Sequence, residues 1–443
     1  TSMLATYVHP LSVMVAGAIG GIWYAFRQRG LQKEDVRPTS WDTQSVVLLV
    51  AVIASTFFLC KVGLQAASAN SLRLRWSFVP PEEGAIYSAP VVVGHQVLVA
   101  AALQNDPSSG ALYSLDRNTG ELLWTFTNEG QMKQVLSSPC HADGRIYIGE
   151  GFHSDAPCKL YCISAADGEK FWDFETKSHT EATPNVVDGR VYFGAGDDGL
   201  YCLDSRTGEM IWHFEGPHVD GCPAIAHNRV YAGSGHENCE VFCVDATNGI
   251  PIWRVPVEVS SFAAATVSGK DVFFGIGNGN LVGSDINPSG ALLCLDGKSG
   301  KIKWRYNVGD AVHSKPVVIG NQVVFVSRDH HCYCLHIKNG KLHWKRHLGA
   351  PALAAPVVAG VPISGGEDGL YVLAADGSLS CLNIVTGIPY SITYASGTSR
   401  LNANFIGTPA AAFTPSALGG HVQLHVGGSL SQFTTKPILL CFE

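Results

Sequence analysis

The chain has 443 residues, of which 46% are hydrophobic and only 15% charged, with 48 glycines and a formal net charge of −7 at pH 7. The acidic balance argues against nucleic acid as a partner, because a basic footprint is the least that such binding requires. Abundant glycine and few charges suit a β-rich fold with many turns.

Two apolar segments open the chain. The first, about residues 3–26, is long enough at about 1.5 Å per helical residue to cross a hydrocarbon core of about 30 Å, and the second, about 46–62, is at the short end of that range. A secretory signal would begin with basic residues and end in a small-residue cleavage site. Here the cations Arg27, Arg29, Lys33 and Arg37 follow the first segment, so a membrane hairpin is the better reading. A cytoplasmic basic loop places the rest of the chain on the periplasmic or other non-cytoplasmic side, although Lys61, Arg73 and Arg75 after the second segment pull the other way. Gly17 and Gly21, four apart, allow a second helix to approach closely. A histidine in a span is a candidate haem, pigment or proton site, but His9 beside Pro10 lies near the segment end, at the water interface. Residues 1–65 are thus expected to form a membrane anchor of two transmembrane helices, with Gly17, Gly21 and His9 as helix-contact candidates. The linker 66–71 spans too few residues, at about 3.3–3.6 Å each, to carry the remainder of the chain far from the bilayer.

From 72 to 443 the chain repeats. The clearest copy reads Leu200-Tyr201-Cys202-Leu203-Asp204, then Thr207-Gly208, then Trp212. Related copies end on Trp124, Trp172, Trp253, Trp304 and Trp344, giving Trp-to-Trp steps of 48, 40, 41, 51 and 40 residues. Periods of this size with four short β-runs each indicate the blades of a propeller. A seventh copy runs through Cys381-Leu382-Asn383 and Thr386-Gly387, with Pro389 and Tyr390 expected where the tryptophan should stand. The eighth is split. Ile438 to Glu443 matches a third strand, and Leu72 to Phe78, with Trp76, matches a fourth strand that has no third strand before it. Pairing the two ends would remove both open sheet edges. The expected fold is therefore all-β: an eight-bladed β-propeller closed by N-terminal strand pairing with the C-terminal strand, preceded by two transmembrane helices.

Of the 13 cysteines, Cys162, Cys202, Cys243, Cys294, Cys334, Cys381 and Cys441 hold one phase in successive third strands, with Ser114 in the first copy. Equivalent positions in neighbouring blades are too far apart for a disulfide, so these are read as small buried hydrophobes. No Cys-x-x-Cys-His string marks covalent haem and no Cys-x-x-Cys pair marks zinc. Cys140, Cys158, Cys222 and Cys239, near strand starts, leave a stray disulfide open.

Candidate site residues come from the end of the blades opposite the Thr-Gly turns. Aligning the prolines that open the first strands puts Glu181, Asp220 and His313 three residues before proline, where they could ring a central channel. Two carboxylates and a histidine can bind metal or move protons; a solvated channel mouth without ligand is the preferred reading. His153, His236, Asp329, His330 and His331 lie in loops of the same end and are candidates for binding a protein partner.

The unit DGRVYFGAGDDGLYCLDSRTGEMIWHF, Asp188 to Phe214, resembles the PQQ-like propeller repeat family of the quinoprotein alcohol dehydrogenase-like superfamily. The resemblance extends over about Leu72 to Glu443. It implies a choice between two branches: dehydrogenases that carry pyrroloquinoline quinone with calcium, and cofactor-free propellers such as the lipoprotein that assists outer-membrane β-barrel assembly. The dehydrogenase branch implies longer blades and often adjacent cysteines beneath the quinone, and this chain has no Cys-Cys pair. The expectation is a non-catalytic docking or structural subunit of a membrane complex in a bacterial envelope, without cofactor and with other subunits and the bilayer as partners. The alternatives are a quinone-dependent dehydrogenase and an envelope assembly factor.

Overall fold

The structure, a computed structural model, describes residues 74–443 apart from 105–108, 154, 236–238, 280–282, 361–367, 395–402, 405–423, 431–435 and 443. The chain divides into two units, Thr1–Ala66 and Ala67–Glu443. The two apolar segments, the linker, and Gly17, Gly21 and His9 lie outside the described residues. Among the described residues no helix is long and apolar enough to cross a membrane.

The described strands form eight sheets, numbered here by chain order. The third is typical: Asn185–Val187, Arg190–Gly194, Leu200–Asp204 and Met210–Phe214 pair antiparallel in sequence order. The second (Cys140–Ala142 to Lys170–Thr176), fourth (Ala224–Ala226 to Pro251–Pro256), fifth (Thr266–Ser268 to Ile302–Val308), sixth (Val317–Ile319 to Leu342–His347) and seventh (Val357–Gly360 to Pro389–Tyr394) repeat that order. The first sheet adds a short strand, Gly84–Ala85, that pairs with Gln96–Leu103 beside Val91–Val93. The eighth joins the two ends of the repeat region: Leu74–Phe78 pairs with Lys436–Phe442, and Trp76 faces Cys441 as expected. An all-β array of such sheets has the make-up of a β-propeller.

Burial follows the strand order. Second and third strands such as Arg190–Gly194 and Leu200–Asp204 are buried almost throughout, because sheets packed on both faces leave no solvent side and no polar alternation. One apolar cluster joins Tyr192, Cys202 and Trp212 of the third sheet to Val230, Phe242 and Val244 of the fourth. Similar clusters link the eighth sheet to the first and the sixth to the seventh.

The repeated tryptophan locks each sheet that carries it to the next. Gly208, in the turn of the third sheet, has φ +76°, and a Cβ there would lie 2.7 Å from Cδ2 of Trp172 in the second sheet. Only glycine meets both demands. The same contact recurs from Trp76 on Gly120 to Trp344 on Gly387. All of these indoles but that of Trp124 also donate to a carbonyl of the following sheet, Trp344 Nε1 to Ile384 O at 2.9 Å and Trp76 Nε1 to Arg117 O at 2.9 Å. Where an aspartate opens the turn it closes it: Asp204 Oδ1 accepts from the amides of Arg206 and Thr207 at 2.8 and 2.9 Å.

The repeated tryptophan faces the phase-matched cysteine across the outer strand pair, as in Cys202↔Trp212 and Cys334↔Trp344, except in the first sheet, where Trp124 faces Ser114. In the seventh sheet Cys381 faces Ser391, so the tryptophan position there belongs to Ser391 and not to Pro389 or Tyr390. Trp212 stands four residues after Gly208, and the same count from Gly387 reaches Ser391, while Pro389 falls opposite Leu382. All twelve described cysteines are free thiols, Cys140, Cys158, Cys222 and Cys239 among them. Burial pushes the Cys202, Cys243 and Cys334 thiols up to about 12, the behaviour of inert core residues.

Candidate functional site

Three successive sheets bring polar side chains together at the end opposite the Thr-Gly turns. His153 lies between the second and third strands of the second sheet, His179 and Glu181 between the second and third sheets, and His218 and Asp220 between the third and fourth. The backbone is pinned at each step. Thr180 donates through its amide (2.9 Å) and its hydroxyl (2.7 Å) to the carbonyl of Glu150. Val219 and Gly196 exchange amide hydrogen bonds of 3.0 and 3.2 Å across a single bridge. Gly196, at φ +49°, has the His179 ring where a Cβ would be, so glycine is required for that ring to enter.

Asp220 is clasped by two imidazoles. Its Oδ1 is 3.0 Å from Nε2 of His179 and its Oδ2 is 2.7 Å from Nε2 of His218. The far nitrogens are also held, His218 Nδ1 at 2.6 Å from Asp197 Oδ1 and His179 Nδ1 at 3.2 Å from Ser178 Oγ. His153 Nδ1 lies 3.2 Å from Oε1 of Glu181, which accepts no hydrogen bond among the described residues. The His179, His218 and Asp220 side chains are 1%, 7% and 9% exposed, whereas His153 is 49% exposed. The cluster is closed inside and open on the His153 side. One ligand atom from each of His153, His179, His218 and Asp220 fits within 4.8 Å of the other three.

The charges follow from burial and from these pairs. Burial alone would raise the Asp220 carboxyl, but hydrogen bonds and charge from both histidines outweigh it and hold the group well below the carboxylate range. Burial would lower His218, yet Asp220 and Asp197 lift it to about 9. His179 is raised on balance by Asp220 against the same burial. Glu181 is pushed up to about 8 by burial and then by the Asp220 charge. The Asp220 anion thus favours the cationic form of both histidines that clasp it.

Of the three residues aligned before proline in the sequence, Glu181 and Asp220 fall in this cluster. His313 has other neighbours: its ring centroid is 5.9 Å from that of Phe262, and Arg328 and Asp310 are the charges acting on it. Neither ring nitrogen has a hydrogen-bond partner among the described residues, and burial lowers it to about 4. Asp329 is committed to the fold, its Oδ2 accepting from Tyr333 Oη at 2.5 Å and from the Gly309 amide at 3.0 Å. His331 and His330 flank His347, with ring centroids 5.0 and 6.1 Å away. His236 lies outside the described residues.

Sequence reasoning missed His179 and His218. The signal was present: each stands two residues before the aligned acid and five before its proline, so the two occupy one phase in consecutive repeats. Asp197 belongs to a different connection, and only the fold brings it to His218.

The comparisons agree with this architecture. Residues 61–151, 108–258 and 241–413 match a family described as outer membrane protein assembly factor BamB. Among solved structures, BamB from Moraxella catarrhalis superposes with a TM-score of 0.59 at 16% identity, covering 84% of this chain and 98% of that one. A europium-containing methanol dehydrogenase gives 0.52 at 14% identity over 70% and 86%. At such identities the likeness is one of fold. By sequence, the chain is 31% identical over 136 residues to a quinohemoprotein alcohol dehydrogenase of Pseudomonas putida and 27% identical over 138 residues to a cytochrome c-linked 1-butanol dehydrogenase of Thauera butanivorans. Each match takes in 29% of this chain but only 18% and 19% of those enzymes. With the three matched stretches covering most of its length, the chain belongs to the family described as outer membrane protein assembly factor BamB.

Proposed function

We propose that the chain is a non-catalytic propeller, eight blades closed in one ring, that docks other proteins as a structural subunit or assembly factor of a larger envelope complex. Residues 1–65 anchor it to the membrane, and the ring stands on the periplasmic side. Its partner surface is the end opposite the Thr-Gly turns, with His153, His330, His331 and His236 as contact candidates. Family membership over most of the chain carries this reading, since the name of that family is one of protein assembly.

A second reading, a quinone-dependent dehydrogenase with calcium, is favoured by the two alcohol-oxidising relatives. The clustered side chains suit it poorly. Calcium takes six to eight oxygen ligands, whereas the cluster offers three imidazoles and one carboxylate. The matched stretch, less than a fifth of either enzyme, fits a shared repeat better than a shared active site.

The test is purification of the full chain from gently solubilised membranes. The docking reading expects companion subunits in fixed stoichiometry, no quinone in the acid extract, and no alcohol-dependent dye reduction after addition of pyrroloquinoline quinone and calcium. One quinone per chain, or alcohol oxidation, would replace this reading with the enzymatic one.

A further inference from the structure

We propose that His153, His179, His218 and Asp220 form a binding site for a single divalent transition-metal ion of the zinc class. The proposal goes beyond the docking function and does not depend on it.

The donor set selects the ion. Three imidazole nitrogens and one carboxylate oxygen are ligands for zinc or its neighbours, and not for calcium or magnesium, which require oxygen. The spacing also suits it. Tetrahedral bonds of about 2.0–2.2 Å put ligand atoms roughly 3.3–3.5 Å apart. In the cluster Asp220 already places Oδ1 3.0 Å from His179 Nε2 and Oδ2 2.7 Å from His218 Nε2, and one donor atom from each of the four residues lies within 4.8 Å of the other three. Small side-chain rotations would open the space for an ion.

The surrounding groups give the second, independent argument. Metal-bound histidines nearly always donate their other ring N–H to a carboxylate or another oxygen, which fixes the tautomer and aims the lone pair. His218 presents Nδ1 to Asp197 at 2.6 Å and His179 presents Nδ1 to Ser178 at 3.2 Å. In both rings Nε2 then faces the centre. Glu181 brings a buried carboxyl oxygen 3.2 Å from Nδ1 of His153, a partner for the third ring. On binding, the ion takes the place of the protons shared between the Nε2 atoms and Asp220, and these pass to solvent. The half-exposed His153 closes the fourth position on the open side.

The test uses the untagged full chain in detergent, stripped with a chelator and titrated with Zn²⁺ by calorimetry and with Co²⁺ by visible spectroscopy. The expected result is one zinc per chain, the intense visible bands of tetrahedral cobalt, and a zinc-dependent rise in melting temperature. His218→Ala and His153→Ala should each weaken binding at least about tenfold, and Asp197→Asn, acting through His218, by about 10–100-fold. His331→Ala, in the separate histidine group, should leave it unchanged. Because His153 is half exposed, its variant is informative even where His218→Ala fails to fold. No binding, pale octahedral cobalt, or stoichiometric zinc that survives His153→Ala would overturn the proposal.

Discussion

The two ends of the sheets differ in kind. At the end carrying the Thr-Gly turns the same contacts recur: Asp204 accepts from its turn amides just as Asp116 and Asn383 do, and a tryptophan of the sheet before rests on each glycine. The opposite end repeats less fully: Tyr161, Tyr201 and Tyr333 donate to Glu150, Asp198 and Asp329, but the polar side chains between the sheets change from copy to copy. There the second to fourth sheets gather His153, His179, His218 and Asp220, while the connection before the sixth sheet buries His313 with no polar partner among the described residues. Repetition marks the end at which sheets must interlock, since a misfit at one turn would break the packing of both neighbours. The other end only has to carry the chain across, which leaves its side chains available for chemistry.

Removing a lock should therefore cost far more than removing a functional group. Trp212 is 6% exposed and packs against the fourth sheet. Trp212→Ala is expected to lower the unfolding free energy by about 3–5 kcal/mol, read from urea denaturation midpoints at constant slope. His153→Ala, on a half-exposed side chain, should cost at most about 1 kcal/mol. Equal losses would abolish the distinction between the two ends.

His313 offers a pH-dependent contrast. Burial, with Arg328 opposing and Asp310 favouring the charged form, holds its folded value at about 4, against about 6.5 in an unfolded chain. The folded value is the lower one, so the unfolded state binds the extra proton between these limits. The stabilisation is complete above about pH 6.5 and is lost as pH falls towards 4, by roughly 3 kcal/mol at most. His313→Leu should remove this slope, so that wild type and variant diverge on acidification. Parallel stability curves for the two proteins between pH 7 and 4 would mean that the ring is solvated.

The same contrast sets how much of each end is legible in the sequence. The tryptophan, the turn glycine and the cysteine phase are local and repeat, so the strand order and the Trp76–Cys441 pairing can be read from spacing alone. Pro389 and Tyr390 are one or two residues short of the tryptophan position of the seventh copy, which is legible too: Trp212 stands four residues after Gly208, and the same count from Gly387 reaches Ser391, opposite Cys381. The histidine cluster is half legible. Alignment on the prolines selects Glu181 and Asp220, but His179 and His218 stand two residues earlier, and Asp197 and His153 arrive from separate connections.

Within the repeated end, one lock is weaker than the others. Trp344 Nε1 donates to the Ile384 carbonyl at 2.9 Å, whereas Trp124 Nε1 is buried without a partner among the described residues. Replacing indole by phenyl removes similar apolar contact in each case but costs a hydrogen bond only at Trp344. Trp344→Phe should be the more destabilising of the two by about 1 kcal/mol. Equal midpoints in denaturant would show that the indole hydrogen bond adds nothing to the lock.

The smallest effect should have the opposite sign, and it arises across the strand from Trp124. Ser114 occupies the phase that cysteine holds in the other copies, faces Trp124, and is fully buried with its hydroxyl unpartnered among the described residues. A buried hydroxyl without a partner forfeits its hydration and gains nothing in return. A thiol in the same place is a weak donor that behaves as a small hydrophobe. Ser114→Cys is therefore expected to stabilise the protein by roughly 0.5–1 kcal/mol, bringing the first-to-second sheet contact closer to its neighbours. A loss of stability in this variant would show that the hydroxyl is satisfied in solution.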